Sequence, residues 1–453
     1  MTERQAEPET GAATKAAEPN GALSAGQRRY LLAFLVLIYA INFIDRTIIN
    51  VLVQPIKTDL GLTDTQIGLV SGVAFGILYG VMGLPFARIA ERRSRRNLIS
   101  LALGVWSVMT AACGLAHNFW HLFAARVGVG IGEAGCTPAA QSMLSDAFPK
   151  EKRASALSTY SMGVPIGTLL GAMFGGWIGQ EFGWRMAFVV VGLPGVAIAV
   201  LARLTLREPP RGGTEGPAGE VPGLIAALTI LWREAAFRNI VIAFTLTGTA
   251  GYSISLFLVA YLQRHLGVAL IDASLAFGLI SGTTGIVGMF IGGLLTDRLA
   301  RKDIRALCWV PAGALALAAP LMMIGLVQNN AMAMAAFLIP AAILYPMYMG
   351  PGFAASHSLV EPTMRATASA VLLMISTVIG MGLGPATTGA ISDIATRSLF
   401  DGDFDQLCRV AEAMAPGCAD AEARGLMVAL VSAAAFYAGG ALFMLLAGRR
   451  MKR

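Results

Sequence analysis

Charge is in short supply in this sequence. Only 13% of its 453 residues are Asp, Glu, Lys or Arg, against roughly a quarter in an ordinary soluble domain, while 56% are hydrophobic and the mean hydropathy is +0.66. That excludes a water-soluble globule, because so much apolar mass needs a bilayer to cover it. Histidine is scarce too, with four residues, and no His or Cys cluster has metal-ligand spacing. There is no Walker-type phosphate loop and no nucleophile and base constellation. An enzyme, a metal site and a bound cofactor are therefore not expected. Residues 1–27, rich in Ala, Glu, Gly and Pro, have no apolar core that would make a secretory signal. They read as a disordered cytoplasmic tail.

What is present is long uncharged runs. No charge falls between Arg153 and Glu181, Arg238 and Arg264, Asp272 and Asp297, Arg365 and Asp393, or Arg424 and Arg449. Each can cross roughly 30 Å of hydrocarbon as a helix of about 20 residues. Ala306 to Val360 is interrupted only by Gln328-Asn329-Asn330 and reads as two spans and a turn. The fold class expected is an all-α membrane protein of twelve transmembrane helices in two six-helix pseudo-symmetric halves. The net charge of +7 does not point to nucleic acid, since the basic residues sort by membrane side. With both termini inside, roughly 26 Lys and Arg fall on cytoplasmic segments and about six outside. The expected address is an integral multi-pass membrane protein with both termini cytoplasmic.

The halves repeat. Ala87-Arg-Ile-Ala-Glu91-Arg92-Arg-Ser-Arg95-Arg96 is echoed by Gly293-Leu-Leu-Thr-Asp297-Arg298-Leu-Ala-Arg301-Lys302, about 206 positions on. Pro149-Lys-Glu-Lys-Arg153 is matched by Glu361-Pro-Thr-Met-Arg365. The helices that follow carry Gly163, Gly167 and Gly171 in one half and Gly380, Gly384 and Pro385 in the other, small residues that pack helices closely or act as hinges. The division is residues 28–205 for the first half and 237–448 for the second, with a polar periplasmic loop at 392–424 and a basic tail at 449–453. The linker at 206–236 carries an apolar and basic alternation that suits either an interfacial helix or an extension of the seventh span. Gly130-Ile-Gly132-Glu-Ala-Gly135 fits the dinucleotide G-x-G-x-x-G form but lies inside a span with no βαβ context, so close packing is the better reading. Cys113, Cys136 and Cys308 fall within spans as apolar fillers. Cys408 and Cys418 fall in the outer loop, where a disulfide or two free thiols both remain open.

Charge inside the membrane is the sharpest chemical signal, because an ionisable group at the bilayer centre costs about 2.5 to 3.5 kcal/mol. Asp45 and Arg46 lie in the first span, Arg126 and Glu133 in the fourth. Asn42, Asp45 and Arg46 share one helix face. Helical rise puts Asp45, Arg46 and Arg126 at similar depth and separates Arg126 from Glu133 by roughly 10 Å, so Asp45 is expected to face Arg126. A carboxylate whose proton affinity depends on an arginine that can turn away would couple protons to conformation; a structural, net-neutral ion network is the plainer alternative. Arg46 or Arg126 could instead hold an anionic headgroup. The second half offers no comparable charge but supplies Met322, Met323, Met332, Met334, Met347, Met349, Met374 and Met381 with Tyr252, Tyr345 and Tyr348. Such adaptable side chains suit an acyl chain or simply packing.

The doubled acid-arginine loops resemble the loop signature of the major facilitator superfamily. Asn42-Phe-Ile-Asp45-Arg46, with Arg126-Val-Gly-Val-Gly-Ile-Gly-Glu133-Ala134, looks like that superfamily's spinster branch. The resemblance implies a transporter of lysolipid or sphingolipid-like amphiphiles working by alternating access, coupled to protons through Asp45 and Glu133. It also implies a cytoplasmic gate built from Glu91, Arg92, Arg95, Arg96, Arg153, Asp297, Arg298, Arg301, Lys302 and Arg365 that stabilises the outward-facing state. Partners are then an amphiphilic small molecule, protons and membrane lipids. A transporter of small organic acids or drugs is the alternative; a non-transporting receptor or scaffold is a further one.

Overall fold

The computed structural model describes residues 23–211, 224–361, 364–410 and 416–451, and no strand occurs among them. Among the described residues eleven helices are long and apolar enough to cross a membrane. In the first half these are spans 1 (Ala25–Val51), 2 (Asp64–Gly83), 3 (Arg95–Cys113), 5 (Ser155–Glu181) and 6 (Trp184–Thr205). In the second half they are spans 7 (Ala235–Leu266), 8 (Leu270–Ala300), 9 (Ala306–Leu326), 10 (Ala331–Ser358), 11 (Thr367–Leu399) and 12 (Cys418–Arg450). The remaining expected span, the fourth, is two shorter helices, Phe119–Ala134 and Cys136–Ala147, meeting at Gly135. Polar side chains start several helices: Ser24 and Thr63 form capping boxes with Gln27 and Gln66, while Asn118 and Asn330 cap the fourth and tenth spans.

The repeat in sequence is a repeat in packing. Span 5 lies on span 1 so closely that a Cβ on Gly171 would come 2.9 Å from the Ile44 Cα, and Gly163 and Gly167 abut Tyr39 and Ala40 of the same helix. Span 11 lies on span 7 in the equivalent way, a Cβ on Gly384 reaching 3.1 Å from the Thr249 carbonyl, with Gly380 against Gly248 and Thr249. Two π-helical stretches interrupt the α geometry, Leu69–Ile77 in span 2 and Ser376–Met381 in span 11. The second ends four residues before Pro385, whose ring would clash with the Met381 carbonyl in a regular α-helix.

Several segment boundaries differ from the sequence reading. Residues 1–22 of the expected tail, residues 212–223 of the linker and residues 452–453 lie outside the described residues. Leu224–Arg233 is a helix of its own, set off from span 7 at Glu234, with Ile230 and Trp232 exposed. The polar segment expected as a loop over 392–424 is mostly helical. Span 11 continues to Leu399 and span 12 begins at Cys418, which leaves residues 400–417 between them. Ser392 and Asp393 can be helical inside the fold because they are buried against polar partners from another helix. Cys408 and Cys418 are joined by a disulfide, their Cα atoms 5.8 Å apart.

Candidate functional site

The four intramembrane charges come together as two crossed ion pairs. Arg46 of span 1 donates from Nε to Glu133 Oε2 of the fourth span at 2.7 Å. Arg126 of the fourth span lies 3.6 Å from Asp45 Oδ1 of span 1. Each helix thus gives one acid and one base, and each base answers the acid of the other helix. Asp45 faces Arg126 as its depth implied; the Arg46 to Glu133 pair was not anticipated, because helical rise fixes height but not which way a long side chain turns. Asp45, Arg126 and Glu133 are at most 1% exposed. Asn42 is buried beside them, and the Thr110 hydroxyl donates to Asp45.

This cluster is short of hydrogen bonds. The 3.6 Å approach is too long to be one, and Asp45 Oδ1, Arg126 Nη1 and Nε, Glu133 Oε1 and Asn42 Oδ1 have no hydrogen-bond partner. Buried polar atoms without partners are costly, so these charges are held at the expense of folding stability. The backbone that holds them is tightly set. A Cβ on Gly132 would lie 2.8 Å from the Trp106 nitrogen and one on Gly130 would lie 3.1 Å from the Phe75 Cα. The glycines of the G-x-G-x-x-G pattern therefore serve helix approach.

Arg46 and Arg126 open onto a cavity of about 330 Å³ between the halves. Its first-half wall is Phe43, Arg46, Asn50, Phe75 and Arg126; its second-half wall is Tyr252, Tyr345, Tyr348 and Tyr437 with Met289, Met322, Met349 and Met381. Tyr437 and Met289 were not singled out in the sequence. Other methionines point elsewhere: Met332 is 83% exposed, and Met334 and Met347 are packed away.

The expected gate residues lie on the face that carries the helix ends at Ala25, Arg92, Thr205, Ala300 and Arg450, called here the terminal face. Among the described residues, no ion pair of Glu91, Arg92, Arg95, Arg96, Asp297, Arg298, Arg301 or Lys302 joins the halves there. Arg95 is buried and bonds within the first half and its linker, to Glu208, Asp146, Ser142 and the Pro209 carbonyl. Arg211 donates to the backbone carbonyls of Ala90, Glu91 and Arg93, and the Glu91 carboxylate meets Arg88. Burial alone would raise Glu208, but the Ser94 hydroxyl, the Arg95 amide and the Arg95 guanidinium together hold it below the usual glutamate range. Among the described residues Arg92, Arg96, Asp297, Arg298, Arg301 and Lys302 form no ion pair; Arg153 and Arg365 lie at the entrances to spans 5 and 11.

The halves are joined at the opposite face, by residues the sequence reading passed over. Asp64, opening span 2, accepts two bonds of 2.9 Å from the Arg264 guanidinium and one of 2.7 Å from Ser392, and lies 3.1 Å from Lys57. Asp393 in turn accepts from the Asp64 and Thr65 amides at 3.1 and 2.9 Å. Gln54 receives Arg264 Nε, and Lys57 reaches Glu422 at 3.0 Å. On the other side of the pseudo-twofold axis Gln180 accepts from the Ile271 amide at the start of span 8. One signal was available: Lys57, in the short helix Val53–Leu60 that follows span 1, and Arg264, in the last turn of span 7, are about 207 positions apart, the same offset as the other repeats.

Comparison with known proteins accords with this architecture. The profile of the Major Facilitator Superfamily matches residues 35–385. The chain is 34% identical over 369 residues to a protein of Mycolicibacterium smegmatis described as an MFS-type efflux pump, covering 81% of this chain and 84% of that one. It is 29% identical over 392 residues to protein spinster homolog 1 of Bos taurus, covering 82% and 74%. A crystal structure of a bacterial homologue of the human lysosomal transporter spinster, inward-facing and unoccupied, superposes with a TM-score of 0.85 at 33% identity, covering 94% of this chain and 98% of that one.

Proposed function

This chain belongs to the major facilitator superfamily, in its spinster-like branch, and from that premise we propose that it is a proton-coupled carrier of amphiphilic lipids. The observation that carries the proposal is the chemistry of the cavity between the halves. One wall holds two arginines in crossed pairs with buried carboxylates, and the other is tyrosine and methionine. A headgroup with negative charge is matched to the first wall, and an apolar tail to the second.

In the coupling step, protonation of Glu133 or Asp45 neutralises one acid and frees its arginine for the substrate. Substrate binding and proton binding are then linked, since each changes the free energy of the other. Alternating access follows from the two faces. Here the face built on Asp64, Arg264 and Asp393 is closed, and with the termini cytoplasmic the carrier is inward-facing. In the opposite state the doubled loops around Glu91 and Asp297 come together as the cytoplasmic gate, with Arg153 and Arg365 beside them.

A second reading has its own support. A volume near 330 Å³ lies at the small end for ligand pockets, and one relative is described as an efflux pump. A small organic acid or drug would fit without leaving the cavity, whereas a lipid tail must extend beyond it. Uptake into proteoliposomes of a labelled lysolipid and of a labelled organic acid, with and without a pH gradient, separates the readings. Lysolipid movement that rises with the gradient is expected; acid transport with no lipid movement rejects the lipid reading, and gradient-independent transport rejects proton coupling.

A further inference from the structure

Phe75 occupies a position that no charge or polar pattern explains. It is fully buried on the π-helical stretch Leu69–Ile77, and its ring lies beneath two guanidinium groups at once, 5.1 Å from Arg46 and 4.8 Å from Arg126. Arg46 also meets the rings of Phe43 and Tyr79, at 5.2 and 4.3 Å; Phe75 is the ring shared by both arginines. Its backbone is wedged as well. On one side Gly130 of the fourth span leaves room only for hydrogen beside the Phe75 Cα. On the other, Gly72 and Gly76 of the same stretch press on Met381 and Gly382, at the end of the π-helical stretch of span 11 in the second half.

We propose that Phe75 is the positioning residue of the charge cluster, the surface on which an arginine rests once a proton has taken its carboxylate partner. The inference rests on the proton-coupled reading above. While Arg46 and Arg126 are paired, the carboxylates neutralise most of their field and the ring contributes little. After protonation of Glu133 or Asp45 the unpaired cation faces low dielectric, where a ring face stabilises it best. Phe75 thereby makes proton uptake easier, and because its backbone is wedged between Gly130 and the Gly382 turn, a shift of the arginines is passed to the seam between halves. The other titratable groups around the cluster are Tyr39 of span 1, Tyr79 of span 2, Cys113 of span 3, Cys136 of the fourth span and Tyr252 of span 7. None of them is placed between the two arginines.

The test reads conformation against pH. Spin labels on Thr58→Cys and Ala269→Cys, exposed positions on the closed face in different halves, report its opening by electron-electron distance in reconstituted protein. The wild-type background should show a pH-dependent population with a definite midpoint. Phe75→Leu, which keeps apolar bulk but has no ring face, should move that midpoint about one unit to lower pH, given a cation-ring energy of order 1–2 kcal/mol and 1.36 kcal/mol per unit. Phe75→Tyr should restore it, and Phe75→Met serves if the leucine variant folds poorly. A merely structural role would lower stability without moving the midpoint. A midpoint unchanged in both Leu and Met variants overturns the inference alone; a wild-type protein with no pH response overturns the coupling reading and the inference with it.

Discussion

Replacing Arg264 with glutamine should open the face that is closed here. Arg264 is the second half's main grip on the first, since its guanidinium makes both 2.9 Å bonds to Asp64 and its Nε bonds to Gln54. Both charged side chains are at most 5% exposed, so removal leaves a buried carboxylate short of its partner. Breaking a buried pair from one side costs about 3–5 kcal/mol. Lys57 at 3.1 Å and Ser392 at 2.7 Å stay behind and offset part of that. A net loss of about 2–3 kcal/mol from the closed state remains, roughly a 30- to 150-fold change in the ratio of closed to open. Ser255, hydrogen-bonded across the halves to Asn50 and lining the cavity, gives the reporter. A cysteine at Ser255 should react with a membrane-impermeant thiol reagent added from the Asp64 side far faster in Arg264→Gln than in the parent. Asp64→Asn should do the same, whereas Glu422→Gln, whose side chain is 25% exposed, should change the rate less than about fivefold, because a pair with a solvated partner is worth about 1 kcal/mol or less. Equal labelling rates in parent, Arg264→Gln and Asp64→Asn would refute the assignment of this cluster as the closed gate.

Three further outcomes follow from the same geometry. Asp45→Asn and Glu133→Gln should each remove the response of transport to a pH gradient while leaving the thermal unfolding profile in detergent near that of the parent; a retained gradient response in both sinks the coupling role. Gly171→Leu and Gly384→Leu should each destabilise by about 1–3 kcal/mol or more through overpacking, read as a lower melting temperature, and an unshifted melting curve would show that the helices do not approach as described. Glu208 titrates below the usual glutamate range because Ser94 and Arg95 favour its charged form. Its contribution is therefore complete above the unfolded value of about 4.3 and is lost as pH falls through the lower folded value. Proteolytic cleavage near residues 206–211 should accelerate in that acid range, and Glu208→Gln should be cleaved quickly at neutral pH as well; cleavage independent of both would argue that the linker is not held there.

Much of this protein was legible in its sequence because a bilayer reads composition directly. Hydrophobic length marked the spans, and buried charge stood out against so little charge elsewhere. The fourth span illustrates the limit. Its charges singled it out, yet the structure divides it at Gly135 into two helices, each too short to be identified as a span by length. Asp393 and Ser392 misled in the other direction: polar residues near a helix end look like a loop until Asp64 and Thr65 are found bonding to them.

The sequence by itself determined the family, the two-half repeat, the glycine faces and the identity of Asp45, Arg46, Arg126 and Glu133, because each depends on composition or on spacing along one helix. Tertiary structure alone decided who meets whom. The crossing of Arg46 to Glu133 and Arg126 to Asp45, the linker's hold on Arg95, and the Asp64 and Arg264 seam all join residues brought together from separate segments, from about 80 to 200 positions apart. Helical periodicity fixes the direction in which a residue leaves its own helix, but a neighbouring helix's rotation and height are set by packing of the whole bundle. For that reason the chemistry of the cluster was readable before the fold was known, and the way it is latched, shared and passed between halves was not.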